Sequence, residues 1–429
     1  MTTYMPETSN AVPIQFVKRT AAAAEPVALL RKGRFHTMAK PIGSTCNIDC
    51  TYCYYLHKEQ LLDQHRGRRM EQSMLERYIR QYIEAQNADE IVFSWQGGEP
   101  TMLGLEFFEH IMELQVKYSP VGRRIVNDLQ TNATLLNDDW CVFLKKHDFL
   151  VGVSIDGPRE LHDGFRVDRK GNSTFDNVMR GIGLLKCHGI RFNTLTVVNR
   201  LNAKRPIDVY RFLRDEVGST YMQFIPCVEP KDFKTVAPQH WPIEAMPKVG
   251  TSAARPGNPD SIVTLWSVDP DDWGYFLCRT FDEWYKKDAG RILVNLFETA
   301  VAQTMGQPAQ TCITAEFCGK ALAIEHDGTA YSCDHYVYPD FALGNIQDEH
   351  LGTMAFSERQ QKFGYSKRDS LPAYCKQCKH LNLCWGECPK NRLLRTPDGE
   401  PGLNYLCSGI KRFHDHAGPV LRKIASELV

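Results

Sequence analysis

The stretch FHTMAKPIGSTCNIDCTYCYY, residues 35–55, decides how the rest of the chain is read. Its first part, residues 35–42, has the composition and length of a β-strand. Its second part puts Cys46, Cys50 and Cys53 into one short loop and follows them with Tyr54 and Tyr55. A strand that delivers three thiols into a single loop points to a metal centre at the strand's C-terminal end.

Outward from this loop, strand-like runs at 90–95, 125–131, 149–155, 191–198 and 221–226 alternate with amphipathic stretches at 74–86, 105–118, 138–147, 175–188 and 206–216. Six strands, each followed or preceded by a helix, predict an α/β fold with a parallel sheet and right-handed crossovers. Such a set closes naturally as a partial (β/α)6 barrel, with its active site at the C-terminal ends of the strands. The expected organisation is an N-terminal extension (1–34), the barrel (35–228), and a connecting loop with a helical segment (229–309). A cysteine-rich domain ending in a C-terminal helix (310–429) completes the chain.

The bulk numbers fit a protein of this class. The 429 residues are 43% hydrophobic and 24% charged, as in ordinary globular chains. Lys+Arg and Asp+Glu both number 51, so the net charge of zero removes the usual drive toward nucleic acid. Arg66, Arg68 and Arg69 read as a solvated surface turn. There is no secretory stretch near Met1 and no apolar run long enough for a bilayer, so the expected location is cytoplasmic, away from membranes. Fifteen cysteines in a reducing compartment are metal or cluster ligands before they are disulfides.

Three thiolates can wrap three corners of a cubane iron–sulfur cluster and leave the fourth iron open. An open iron can chelate the amino and carboxylate groups of S-adenosylmethionine, and one electron then yields a 5′-deoxyadenosyl radical. The competing readings are a structural zinc knuckle, which normally wants four ligands, or buried free thiols.

The loop, its aromatic neighbours and the barrel pattern resemble the radical S-adenosylmethionine superfamily. Gly97-Gly98-Glu99-Pro100 matches that superfamily's glycine-rich element, where paired glycines are expected to let the backbone approach the methionine amino group. The resemblance further implies that Ser154 and Arg166 bind the ribose and carboxylate of the cofactor. Val228 would offer backbone or apolar contact to the adenine, and Tyr52 would lie over it.

Eight more cysteines fall between residues 312 and 407, enough for two fully ligated four-iron clusters. The block Cys375-x2-Cys378-x5-Cys384-x3-Cys388 resembles the SPASM extension of peptide-modifying radical enzymes; a pair of zinc sites is the alternative. The resemblance implies that Cys312, Cys318, Cys333 and Cys388 hold the cluster nearer the active site. Cys375, Cys378, Cys384 and Cys407 would then hold the outer one. Cys141, Cys187, Cys227 and Cys278 are expected in ordinary packing. Asp334 directly follows Cys333, which would fix a carboxylate beside a cluster, suited to taking a substrate proton.

Together with FHTMAKPIGSTCN, WQGGEPTMLG, QTNATLL, VSIDGP and QFIPCVEP, this cysteine order resembles the anaerobic sulfatase-maturating enzymes from Phe35 to about Phe413. The resemblance implies oxidation of a Ser or Cys of an unfolded sulfatase polypeptide to Cα-formylglycine. It implies S-adenosylmethionine and three 4Fe-4S clusters as cofactors, Asp334 as the base, and a flavodoxin- or ferredoxin-type reductant. Gln96 and Gln223, at expected strand ends, are candidate substrate contacts. Two other readings stay open at this point: a SPASM enzyme forming peptide crosslinks, and a non-catalytic iron–sulfur or zinc scaffold.

Overall fold

The computed structural model describes residues 34–62 and 68–428. The expected N-terminal extension, apart from Arg34, and Arg66 lie outside the described residues, while Arg68 and Arg69 are exposed.

Ten strands form the main sheet: β1 (His36–Lys40), β2 (Glu90–Trp95), β3 (Arg124–Thr131), β4 (Leu150–Ser154), β5 (Phe192–Val198), β6 (Tyr221–Pro226), β7 (Leu293–Val294), β8 (Ala321–Glu325), β9 (Thr329–Tyr331) and β10 (Ala342–Asn345). Their spatial order is β10-β9-β8-β1-β2-β3-β4-β5-β6-β7. From β8 through β7 every neighbour pair is parallel, whereas β9 and β10 return antiparallel. The six expected barrel strands therefore stand side by side in chain order, as a partial (β/α)6 barrel requires. The sheet then continues past both ends of that set. β8 pairs with β1 in the register His36↔Ala321 to Lys40↔Glu325, so the cysteine-rich half supplies a neighbour to the first barrel strand.

The crossovers are α1 (Gln72–Ala85), α2 (Leu105–Tyr118), α3 (Asp138–Lys146), α4 (Phe175–Cys187) and α5 (Pro206–Arg211). The stretch expected as one helix over 206–216 is α5 followed by a π turn, Phe212–Glu216. α6 (Pro270–Lys287), α7 (Asn295–Thr304), α8 (Glu358–Asp369) and α9 (Cys407–Glu427) complete the longer helices. Apolar faces at helical spacing drive this packing. Tyr78 and Tyr82 of α1 and Phe108 of α2 meet Phe93 and Trp95 of β2, with Phe108 also 5.2 Å from the ring of Trp140 on α3. Such pairs contribute about 0.5–1.5 kcal/mol each beyond their buried area. At the other end, Phe413 of α9 meets Phe281 of α6 and Phe297 of α7 at 5.8 and 5.7 Å.

The Pro- and Lys-rich stretch after β6 is not a free linker. Its two ends pair with each other, Lys231 N–H donating to Ile262 O (2.9 Å) and Thr264 N–H to Glu229 O (2.8 Å). Between them it lies against the cysteine-rich half, where Tyr338 donates to Phe233 O (2.5 Å) and Arg395 to Ile243 O (2.8 Å) and Met246 O (3.2 Å).

Candidate active site

The three-cysteine loop leaves the C-terminal end of β1 and is held on two sides. Residues Ile48–Cys50 pair antiparallel with Arg166–Asp168, so Cys50 lies opposite Arg166. On the other side, Gly98 N–H donates to Gly43 O (2.8 Å) and Glu99 N–H to Thr45 O (2.9 Å). The buried Glu99 carboxylate accepts from Thr101 N and Oγ1, Thr131 Oγ1 and Asn132 N, which ties the glycine-rich turn to the end of β3. A Cβ on Gly98 would sit 1.8 Å from Thr45 O and 2.8 Å from Ser44 C. The missing side chain makes room for the backbone just before Cys46.

Cys46, Cys50 and Tyr52 are buried in one small cluster with Ile48, and Cys53 packs against it. Burial pushes the thiols of Cys46 and Cys50 up to about 12, and that of Cys53 up as well, with Arg166 partly offsetting it. Cys46 feels the charge of Cys53, and Cys50 those of Cys53 and Cys46, so the three share one pocket. Cys227, expected in ordinary packing, belongs to the same cluster. Only its place at the end of β6 hinted at this.

Above this loop a buried polar chain runs through three barrel elements. Arg166 Nη1 donates to Tyr52 OH (2.8 Å), and Tyr52 OH donates to Asp156 Oδ2 (2.5 Å). Asp156 Oδ1 also accepts from Val197 N–H (3.1 Å) and lies 3.9 Å from Arg166. Among the described residues Arg166 Nε has no partner and is buried, a spare donor suited to a carboxylate. Ser154, at the end of β4, accepts from Gln130 Nε2 (2.9 Å). Gly152 leaves the space that Gln130 fills, since a Cβ there would lie 2.2 Å from Gln130 Oε1. Val228 is fully buried in the main core, and its carbonyl accepts from Lys390 Nζ (2.7 Å). Gln96 directly follows β2, but Gln223 is the third residue of β6 rather than at its end.

The cysteine-rich half brings its own carboxylate to the same end of the sheet. Asp334 opens a single turn after Cys333 and is buried. Lys40, the last residue of β1, reaches Asp334 Oδ1 at 2.5 Å, and Tyr54 OH donates to Asp334 Oδ2. Burial pushes this carboxyl up, but the Lys40 ammonium and the hydrogen bonds outweigh it, and the net is below the ordinary carboxylate range. Asp334 is therefore ionised and able to accept a proton. Tyr55 OH donates to Glu325, which lies opposite Lys40 in the β1–β8 register. Lys58 Nζ lies 3.3 Å over the Tyr338 ring and is pulled down to about 7 by burial, while Lys390 pairs with Glu229 at 2.7 Å. Lys40, Lys58 and Glu325 carry no motif by themselves and were not singled out in the sequence.

All fifteen cysteines are free thiols. Cys318 and Cys333 each feel the charge of Cys312 and Cys388, and Cys388 that of Cys312; Cys375 feels that of Cys378, and Cys384 and Cys407 feel those of others in that second set. The four thiols of the second set line one hollow beside Leu381, Leu403 and Ile410. Among the described residues no group of three or more His, Cys, Asp or Glu side chains closes to the spacing of a single ion. The donor sets, all sulfur, in one group of three and two of four, fit iron–sulfur clusters.

Residues 41–213 match the Radical SAM superfamily, and residues 312–379 match the SPASM family, described as an iron–sulfur cluster-binding domain. Over 394 residues the chain is 44% identical to the serine-type anaerobic sulfatase-maturating enzyme of Bacteroides thetaiotaomicron, covering 92% of each chain. The chain belongs to the anaerobic sulfatase-maturating enzymes. Within this family it is also 32% identical to the cysteine-type enzyme of Clostridium perfringens, covering 91% of this chain and 98% of that one. Its fold superposes with a TM-score of 0.77 on native anSMEcpe with bound AdoMet and Cp18Cys peptide, at 31% identity over 92% of this chain and 99% of that one. As a member of the sulfatase-maturating family the chain is a radical S-adenosylmethionine oxidoreductase that uses this cofactor together with iron–sulfur clusters, and not a scaffold protein. No helix among the described residues is long and apolar enough to cross a membrane.

Proposed function

We propose that this enzyme oxidises a Ser or Cys in an unfolded sulfatase polypeptide to Cα-formylglycine, with Asp334 taking the proton of the substrate hydroxyl or thiol. The observation that carries this reading is the place of Asp334, ionised between Lys40 and Tyr54 and next in sequence to Cys333. A carboxylate placed next to a cluster ligand suits a reaction that removes a hydrogen atom from a carbon, a proton from the oxygen or sulfur it bears, and one electron.

In this reading Cys46, Cys50 and Cys53 hold the first cluster. Cys312, Cys318, Cys333 and Cys388 hold the inner auxiliary cluster, and Cys375, Cys378, Cys384 and Cys407 the outer one. When bound there, S-adenosylmethionine supplies the oxidising radical that takes a hydrogen from the substrate Cβ. Around it the chain's own residues bind and orient. Arg166 offers its spare Nε–H to the cofactor carboxylate, Tyr52 and Asp156 fix the guanidinium, and Ser154 presents a hydroxyl steadied by Gln130. Gly98 positions the loop, and Val228 walls the adenine side. A flavodoxin- or ferredoxin-type protein supplies electrons, and the cytoplasm is the compartment that suits these clusters.

Two measurements check this reading. Reconstituted enzyme, reductant and S-adenosylmethionine are incubated without oxygen with sulfatase peptides carrying Ser or Cys at the target. Mass spectrometry is expected to find the aldehyde from at least one of them, the Ser peptide losing two hydrogens. Cofactor cleavage with no aldehyde from either peptide would remove the sulfatase assignment. Separately, Tyr52→Phe takes away the hydroxyl that anchors Arg166. It is expected to weaken S-adenosylmethionine binding about tenfold, or about 1.4 kcal/mol. Unchanged affinity in equilibrium binding would detach Tyr52 from the cofactor.

A further inference from the structure

Helix α8 buries the wrong kind of face for an ordinary packing helix. Its buried residues are Gln360, Gly364 and Lys367, one stripe at helical spacing with no apolar side chain in it. The stripe faces the backbone that carries three of the inner auxiliary cysteines. Gln360 Nε2 donates to Gly319 O (2.9 Å) and Ser332 O (3.0 Å), the residues beside Cys318 and Cys333. Gly364 lets the helix touch the chain, since a Cβ there would lie 2.6 Å from Cys318 O. Lys367 Nζ donates to the carbonyls of Cys312 (2.6 Å), Ile313 (2.8 Å) and Ala315 (2.5 Å).

Lys367 is fully buried, and among the described residues it forms no ion pair. Two other buried lysines are paired, Lys40 with Asp334 and Lys390 with Glu229, while Lys58 lies over the Tyr338 ring. Glu387 feels the charge of Lys367 but lies outside ion-pair distance. A buried ammonium satisfied only by neutral carbonyls is costly unless a negative group lies close by. The thiols whose charge it feels are Cys312, Cys318 and Cys388. Arg392, also buried, donates to Trp385 O (3.1 Å) and Ser370 Oγ (2.9 Å), and it too has no carboxylate partner among the described residues.

We propose that Lys367 is the built-in countercharge of the inner auxiliary cluster: a positioning residue that ties the Cys312–Ala315 backbone to α8 and makes that cluster easier to reduce. The inference rests on the ligand reading given above. A fixed positive charge beside a cluster favours its more negative, reduced state, and hydrogen bonding and local charge are the protein's means of setting such potentials. A cluster that must accept the electron leaving a substrate gains from this. Arg392, which feels the charge of Cys375 of the outer set and of Cys388 and Cys318 of the inner one, adds charge of the same sign.

The test is an EPR-monitored redox titration of the full-length, iron-reconstituted enzyme carrying Lys367→Gln, which keeps amide donors for the carbonyls and removes the charge. The expected result is a full iron content with an inner-cluster midpoint shifted to more negative potential by at least tenfold in the reduction equilibrium, 59 mV for one electron. Lys367→Arg restores the charge and is expected to return the midpoint toward that of the parent. An unchanged midpoint in a fully loaded Lys367→Gln enzyme overturns the proposal. If Lys367→Gln fails to load this cluster, loading in Lys367→Arg supports the countercharge, and failure in both overturns it. Cys318→Ala keeps the two readings apart. Should it retain parental iron and an unaltered auxiliary signal, the ligand assignment fails whatever Lys367 does.

Discussion

Asp334→Ala is expected to cleave S-adenosylmethionine at close to the parental rate while forming aldehyde some 10²–10⁴-fold more slowly, the range over which a positioned acid or base acts. The two activities are expected to separate because the residues proposed to hold the cofactor and the residue proposed to take the proton sit on different parts of the chain. Arg166, Tyr52 and Asp156 belong to the barrel, whereas Asp334 enters from the turn after β9. Removing the carboxylate also leaves Lys40 without its partner at 2.5 Å. Asp334→Asn is therefore the stricter companion, since it keeps the shape and the contact with Tyr54 but cannot take a proton. Both variants are compared with the parent for 5′-deoxyadenosine and for aldehyde in the same reaction. Parental aldehyde yield from either would exclude Asp334 as the base.

A single methyl group at Gly98 is expected to remove the first cluster. The ideal Cβ position lies 1.8 Å from Thr45 O and 2.3 Å from Thr45 C, and both atoms are backbone, so no side chain can swing aside. The hydrogen bonds from Gly98 to Gly43 O and from Glu99 to Thr45 O clamp the two loops at this point. Overpacking of this kind typically costs about 1–3 kcal/mol, and here the segment forced to move ends at Cys46. Gly98→Ala should therefore lose about one third of its iron and nearly all cofactor cleavage while the auxiliary EPR signals persist. Gly183, in the interior of α4, has nothing within 4 Å of its Cβ position. Gly183→Ala is the control, expected to keep all iron and to gain up to about 1 kcal/mol of helix stability. Full iron and parental cleavage in Gly98→Ala would mean that the Thr45 backbone can yield.

What the sequence made legible was local. The strands at 90–95 and 221–226 and the helix at 105–118 appear at the expected residues because periodicity reports one buried face, and each of these elements has one. The cysteine loop was legible because short spacing forces its thiols together wherever the loop lies. Contacts between distant segments were not. Nothing in residues 321–325 announces that they pair with β1, and nothing around Arg166 announces that its strand partner is Cys50. Gly98 was identified, but its purpose depends on Thr45, more than fifty residues earlier. α8 escaped a reading based on apolar stripes because its buried stripe is polar, and the π turn at Phe212–Glu216 has the same residue pattern as a continuous helix. Cys227 looked like any core thiol until its strand end was set beside Cys46.

Because β1 has β2 along one edge and β8 along the other, the two halves of this molecule share one continuous sheet. The Lys40 that pairs with Asp334 rides on the strand feeding the cysteine loop, one strand spacing, about 4.8 Å, from its neighbour across the seam. Swinging the halves apart for a polypeptide guest would break the β1–β8 ladder. Severing the chain ahead of β8 would strip β1 of a row of backbone partners and leave a bare edge inclined to aggregate.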